Sequence, residues 1–235
     1  ENKIKQYKIK LFLLCSPHNP VGRVWTENEL DKIIEICKRY NVFIVSDEIH
    51  SDFVWKGNHI CLLKYENYQN NIILCTAPTK TFNLAGLQVS NIFIPNAEVR
   101  QKFQLELWNT GYSLINIMGL VACQSAYEKG QKWLDELRDY LLENINYVDT
   151  FLKENLPKIK LIYPEGTYLL WLDFNGANLS DDRIEELMLN EAKLWLDNGK
   201  MFGETGKGFQ RLNIAVPRRK LKYALENLKR VFKDY

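Results

Sequence analysis

Three short apolar runs, each stopped by a polar or proline-bearing turn, constrain this chain more than anything else in it. Residues 9–15 end at Ser16-Pro17, residues 42–45 at Ser46-Asp47-Glu48, and residues 72–75 at Thr76-Ala77-Pro78. Runs of this length bounded by turn residues read as buried strands. Between the first two lies an amphipathic helix. Thr26 precedes Glu29 by three, a capping box, and Leu30, Ile33, Ile34 and Cys37 follow at helical spacing. Residues 89–94 read as a fourth strand. Short apolar strands alternating with amphipathic helices indicate an α/β sheet that is at least partly parallel.

From Ala97 the pattern turns helical, breaks near Asn109-Thr110-Gly111, and resumes over 116–127 and 131–155. In the last stretch Trp133, Leu137, Tyr140, Leu141, Ile145, Val148 and Leu152 keep helical spacing until Pro157 stops them. Beyond it the pattern predicts strands at 160–162, 167–173 and 211–215, a helix from Asp181 and a last helix from Arg218. This is a separate α+β unit with the long helix as its bridge. The expected division is a first domain over 1–145 and a small carboxyl-terminal domain over 146–235.

A chain of 235 residues can bury a sizeable core, and 46% hydrophobic with 26% charged residues excludes a disordered chain. The net charge of +2 gives no footprint for nucleic acid or an anionic membrane. No run of 18 apolar residues exists, which excludes a membrane-spanning helix, and the first residues do not read as a signal peptide. Five cysteines, odd in number and without a CxxC pair, support neither a disulfide framework nor a metal site. They read as buried thiols in a reducing cytoplasm.

Ligands of open α/β sheets bind at the carboxyl ends of strands. Those ends carry Asn19 after the first strand, Asp47 after the second and Lys80 just past the third. An amide, a carboxylate and an amine around one edge match what a pyridoxal phosphate enzyme needs. The amine forms a Schiff base, and the carboxylate keeps the pyridine nitrogen protonated.

Longer motifs surround these three residues. Ser16-Pro17-His18-Asn19-Pro20-Val21-Gly22-Arg23, Ser46-Asp47-Glu48-Ile49-His50 and Thr76-Ala77-Pro78-Thr79-Lys80-Thr81-Phe82-Asn83-Leu84-Ala85-Gly86 resemble class I/II aminotransferases. More narrowly, they resemble the cystathionine β-lyase, or C–S lyase, subgroup. Tyr163-Pro164-Glu165-Gly166-Thr167 and Phe209-Gln210-Arg211-Leu212-Asn213-Ile214-Ala215 extend the likeness almost from end to end. The resemblance implies the aspartate aminotransferase fold, fold type I. It implies a partial large domain plus the α+β small domain, pyridoxal 5'-phosphate as cofactor, a small amino-acid substrate and a homodimer.

By the same resemblance Lys80 is the Schiff-base lysine and the base at the substrate Cα. Asp47 pairs with the pyridine nitrogen, and Asn19 hydrogen-bonds the cofactor's phenolic oxygen. His50 stands where many relatives place a tyrosine, and Arg211 binds the α-carboxylate through a planar fork that lysine cannot match. Two positions depart from the pattern. Where the family often has a serine and an arginine for the phosphate, this chain has Ala77 and Gln88, leaving Thr76 and Thr79 as the nearby hydroxyls. Glu1 to Lys8 holds no phosphate-cradling glycine loop, so the chain reads as the carboxyl-terminal part of such an enzyme. The implied activity is a C–S β-lyase. An aminotransferase using the same residues is the alternative, and a non-catalytic interaction module is a third reading.

Overall fold

The computed structural model describes residues 1–112 and 114–235. Two compact units emerge: Glu1–Pro17 with Val24–Leu134, and His18–Arg23 with Asp135–Tyr235. The sequence pattern placed the change of unit near residue 145. In the structure it falls between Leu134 and Asp135, and a short early segment joins the second unit.

The first unit holds helix α1 (Asn2–Tyr7), strand β1 (Leu11–Cys15), helix α2 (Glu27–Tyr40), strands β2 (Phe43–Asp47) and β3 (Ile72–Thr76), and one helical turn, α3 (Pro78–Thr81). Strand β4 (Asn91–Phe93), helices α4 (Ala97–Asn109) and α5 (Ile117–Lys129) and the start of the long helix α6 (Gln131–Asn155) follow. The sheet order is β1-β2-β3-β4, with the first three strands parallel and β4 antiparallel to β3. Helix α2 starts where the capping box requires, with the Thr26 N–H donating to Glu29 Oε2 at 3.0 Å. It ends at Asn41, whose φ of 51° lies in the left-handed region. Its buried stripe of Leu30, Ile34 and Cys37 clusters with Leu14, Val42, Ile44, Leu62 and Ile72.

One expectation fails at β1. Leu11, Phe12 and Leu13 are exposed, and only Leu14 is buried. The strand sits at the edge of this sheet, with a hydrogen-bonded neighbour on one side alone. The cysteines also divide. All five are free, but Cys61 is exposed and only Cys37 is fully buried.

The second unit is built on antiparallel strands β5 (Lys160–Ile162), β6 (Leu169–Asp173), β7 (Asp197–Asn198) and β8 (Phe209–Asn213), in the order β5-β6-β8-β7. Helix α7 (Asp181–Glu186) runs on through a π turn at Leu187–Glu191, and α8 (Arg218–Phe232) closes the chain. The core buries Leu141, Ile145, Val148 and Leu152 of α6, Leu170 and Leu172 of β6, and Leu225 and Leu228 of α8. Buried Asn144 of α6 donates to the Ile214 carbonyl at 3.0 Å, tying that helix to the end of β8.

The segment His18–Arg23 enters this unit through Gly22, whose carbonyl accepts from the Glu165 and Gly166 N–H groups at 2.8 and 2.9 Å. Gly22 has φ of 75°, and a Cβ there would lie 2.8 Å from Pro164 Cβ, so glycine is required twice over. No helix among the described residues is long and apolar enough to cross a membrane.

Candidate active site

In the first unit the parallel register lines up Cys15, Asp47 and Cys75 as one row at the carboxyl ends of β1, β2 and β3. Asp47 is half-buried. Its Oδ1 accepts from the Ile49 N–H at 3.2 Å, which leaves the other oxygen without a hydrogen bond among the described residues. Burial, with the Asp47 and Glu48 carboxylates adding, pushes the neighbouring Cys75 thiol up. That thiol is therefore an inert neighbour rather than a nucleophile.

The chain after β2 is held by Glu48, which is 2% exposed. Its carboxylate accepts from Ser46 Oγ at 2.9 Å and the Leu62 N–H at 2.9 Å, and lies 2.6 Å from His59 Nε2. His50 is buried in the turn that follows, where its carbonyl accepts from the Phe53 N–H. Asp52, further along, accepts from Thr81 Oγ1 at 2.5 Å. That bond anchors the turn of α3 at the residue next to Lys80. Pro78 at the start of α3 sets the helical φ after β3, and Lys80 follows half-buried, with no ion-pair partner among the described residues.

The two threonines behave differently. Thr76 lines a cavity of about 510 Å³ with Ser51, Asp52, Asn91 and Tyr127, a cavity that Asp47 and Lys80 do not line. The Tyr127 hydroxyl, which accepts from Asn91 Nδ2 at 3.4 Å, is pushed up in pKa by burial. Thr79 is half-buried beside Lys80. Gln88 sits exposed in a left-handed turn.

The second unit brings Asn19 and Arg211 together. Arg211 Nη1 donates to Asn19 Oδ1 at 2.6 Å, while Nε and Nη2 donate to Asp197 Oδ2 at 3.1 and 2.5 Å. With its carbonyl oxygen committed, Asn19 has its NH2 group left to donate. The Phe202 ring lies 4.8 Å from the guanidinium carbon, and Trp171 packs edge-on against Phe202. Trp171 is buried. Asp197 escaped the sequence reading because β7 is two residues long and leaves no periodicity.

Among the described residues no group of three metal-ligating side chains forms. Comparison with known proteins accounts for what is present. The family model of aminotransferase class I and II matches residues 1–228. The chain belongs to the class I and II aminotransferases.

A curated member of this aminotransferase family, the cystathionine β-lyase PatB of Bacillus subtilis, is 40% identical over 231 residues, covering 97% of this chain and 60% of PatB. Cystalysin from Treponema denticola, solved with pyridoxal 5'-phosphate, matches with a TM-score of 0.94 at 37% identity, over 99% of this chain and 61% of its own. The pyridoxal phosphate-bound C–S lyase from Staphylococcus hominis matches at 0.88 and 36%, over 98% and 60%. The aminotransferase chain described here thus spans about three-fifths of these relatives.

The family's cofactor is pyridoxal phosphate, and the donor set of the first unit fits its ring. Asp47 offers a spare carboxylate oxygen to a cationic ring nitrogen, and Lys80 an amine without a competing acid among the described residues. Thr76 and Thr79, both half-buried, are the hydroxyls that would be available to its phosphate.

Proposed function

We propose that this chain is the carboxyl-terminal part of a pyridoxal phosphate-dependent C–S β-lyase that cleaves cystathionine or related cysteine S-conjugates. The observation that carries the reading is Asp47 at the end of β2 and Lys80 in the turn just after β3, its parallel neighbour, in a chain 40% identical to a cystathionine β-lyase. Bound cofactor supplies an electron sink that stabilises negative charge at the substrate Cα.

The chain's own residues do the rest. Lys80 holds the cofactor and, once released, takes the proton from Cα. Asp47 holds a proton on the ring nitrogen through its carboxylate, and Asn19 donates its NH2 to the phenolic oxygen. His50 would stand near the same oxygen, and the Thr79 and Thr76 hydroxyls would meet the phosphate. Arg211 grips the α-carboxylate with its planar fork. Loss of the Cα proton lets the Cβ–S bond break with its electron pair on sulfur. With one water consumed, the products are a thiol, pyruvate and ammonia. The working enzyme is a homodimer in the cytoplasm, a compartment in keeping with five free cysteines.

The test gives the complete enzyme L-cystathionine with no 2-oxo acid and measures free thiol and pyruvate. Both are expected in equal amounts, and Lys80→Ala is expected to abolish them. Amino transfer that requires a 2-oxo acid, with no thiol released, would replace the lyase by an aminotransferase. A Lys80→Ala enzyme with undiminished cellular effect would point to a non-catalytic role.

A further inference from the structure

We propose that Asp197 is a positioning residue that fixes which edge of the Arg211 guanidinium an incoming α-carboxylate meets; this rests on reading Arg211 as the carboxylate-binding residue. Strands β7 and β8 place Asp197 directly opposite Arg211, and Trp171 of β6 stands opposite Arg211 on its other side. Residues in one such row share a sheet face. The pairing is therefore written into the register and is not a chance meeting of two long side chains.

Counting donors shows what the pairing leaves. A guanidinium has five N–H groups. Asp197 Oδ2 takes Nε–H and one hydrogen of Nη2, and Asn19 Oδ1 takes one hydrogen of Nη1. One N–H then remains on each terminal nitrogen, the number a carboxylate needs to bind with both oxygens. The Phe202 ring 4.8 Å from the guanidinium carbon covers one face of the plane, so the carboxylate must approach in that plane. The Arg211 side chain is 16% exposed and that of Asp197 43%, so solvent reaches the anchor more readily than the group it anchors.

Two effects of Asp197 oppose each other, which makes the proposal testable by sign. Its charge cancels that of Arg211, so on Coulomb's law alone removing it strengthens binding of an anionic substrate. As an anchor it keeps the long side edge occupied and the terminal edge presented, so removing it lets the guanidinium turn and weakens binding. The positioning role predicts the second outcome.

The experiment uses the complete enzyme and L-cystathionine, reading Kd by calorimetry and kcat and KM by thiol release. Asp197→Ala is expected to raise Kd and KM about tenfold with kcat changed less than about threefold, the pattern of lost ground-state orientation. Asp197→Asn, which keeps an acceptor at the same place without the charge, is expected to stay within about threefold of the parent. An unchanged or tighter Kd in Asp197→Ala overturns the proposal, as does an Asn variant as weak as the Ala variant. Arg211→Lys separates the underlying reading. If it leaves Kd unchanged, Arg211 is not the carboxylate site. If it weakens binding while Asp197→Ala does not, only the positioning role fails.

Discussion

Glu48 gives the most direct test of how the candidate site is held, because its carboxylate is buried and has three partners. Ser46 and Leu62 are each 1% exposed, so water cannot replace what Glu48 gives them. His59 Nδ1 is buried without a partner, which places the ring proton on Nε2, facing the carboxylate. Glu48→Ala then strands the Leu62 N–H and the His59 Nε2–H, each at about 1–3 kcal/mol when buried. The Ser46 hydroxyl can rotate to another acceptor and adds little. The His59 side chain is 16% exposed, which puts its share at the low end. The expected loss is about 2–4 kcal/mol, the Leu62 N–H counted in full and the ring proton at the low end. Glu48→Gln keeps an acceptor for Ser46 and Leu62 but turns an NH2 toward His59. The ring must then accept on Nε2 and carry its proton on Nδ1, where it has no partner. That costs about 1–2 kcal/mol. Urea unfolding of the complete enzyme, compared at equal m-values, reads both numbers. An Ala variant within about 1 kcal/mol of the parent, or a Gln variant as damaged as the Ala variant, would refute the reasoning.

Gly22→Ala is expected to destabilise by about 2 kcal/mol, combining a left-handed φ with a Cβ 2.8 Å from Pro164. It should also weaken amino-acid binding, since Asn19 rides on the same segment; calorimetry that finds an unchanged Kd counts against this. Burial lowers the His18 pKa below its ordinary 6.5, so the folded state binds fewer protons than the unfolded one. His18 therefore contributes stability above pH 6.5 that is lost as pH falls through the folded value. His18→Gln should flatten the drop in urea midpoint between about pH 7.5 and about pH 5.5, and equal drops in both proteins would exclude the effect.

Where local chemistry decides, the sequence was readable. Helix α6 occupies the predicted 131–155 because its apolar stripe has one period and Pro157 follows, and α2 begins at the Thr26–Glu29 box. Asp47 and Lys80 lie just where strand ends place them. What escaped depends on partners distant in sequence. Strand β7 exists because β8 hydrogen-bonds it, and nothing in Asp197-Asn198 signals a strand. The exposure of Leu11, Phe12 and Leu13 is likewise not legible in their apolar composition. The hydroxyl of Thr76 reads as a phosphate ligand in sequence, yet Thr76 lines a cavity that neither Asp47 nor Lys80 lines. Likewise the motif around Asn19 reads as one loop, although Pro17 and His18 fall in different compact units.

That last division bears on when the protein becomes competent during its synthesis. Gly22 leaves the ribosome long before its partners Glu165 and Gly166, about 140 residues later, or roughly 7–30 s at ~5–20 residues/s. The first unit has all its strands by Phe93 and can collapse in that interval, while the loop carrying Asn19 waits without its anchor. Arg211, the residue that fixes the Asn19 amide, emerges later still. A nascent chain can therefore hold strands β1 to β4, with Lys80 and Asp47, before Arg211 is available to fix the Asn19 amide.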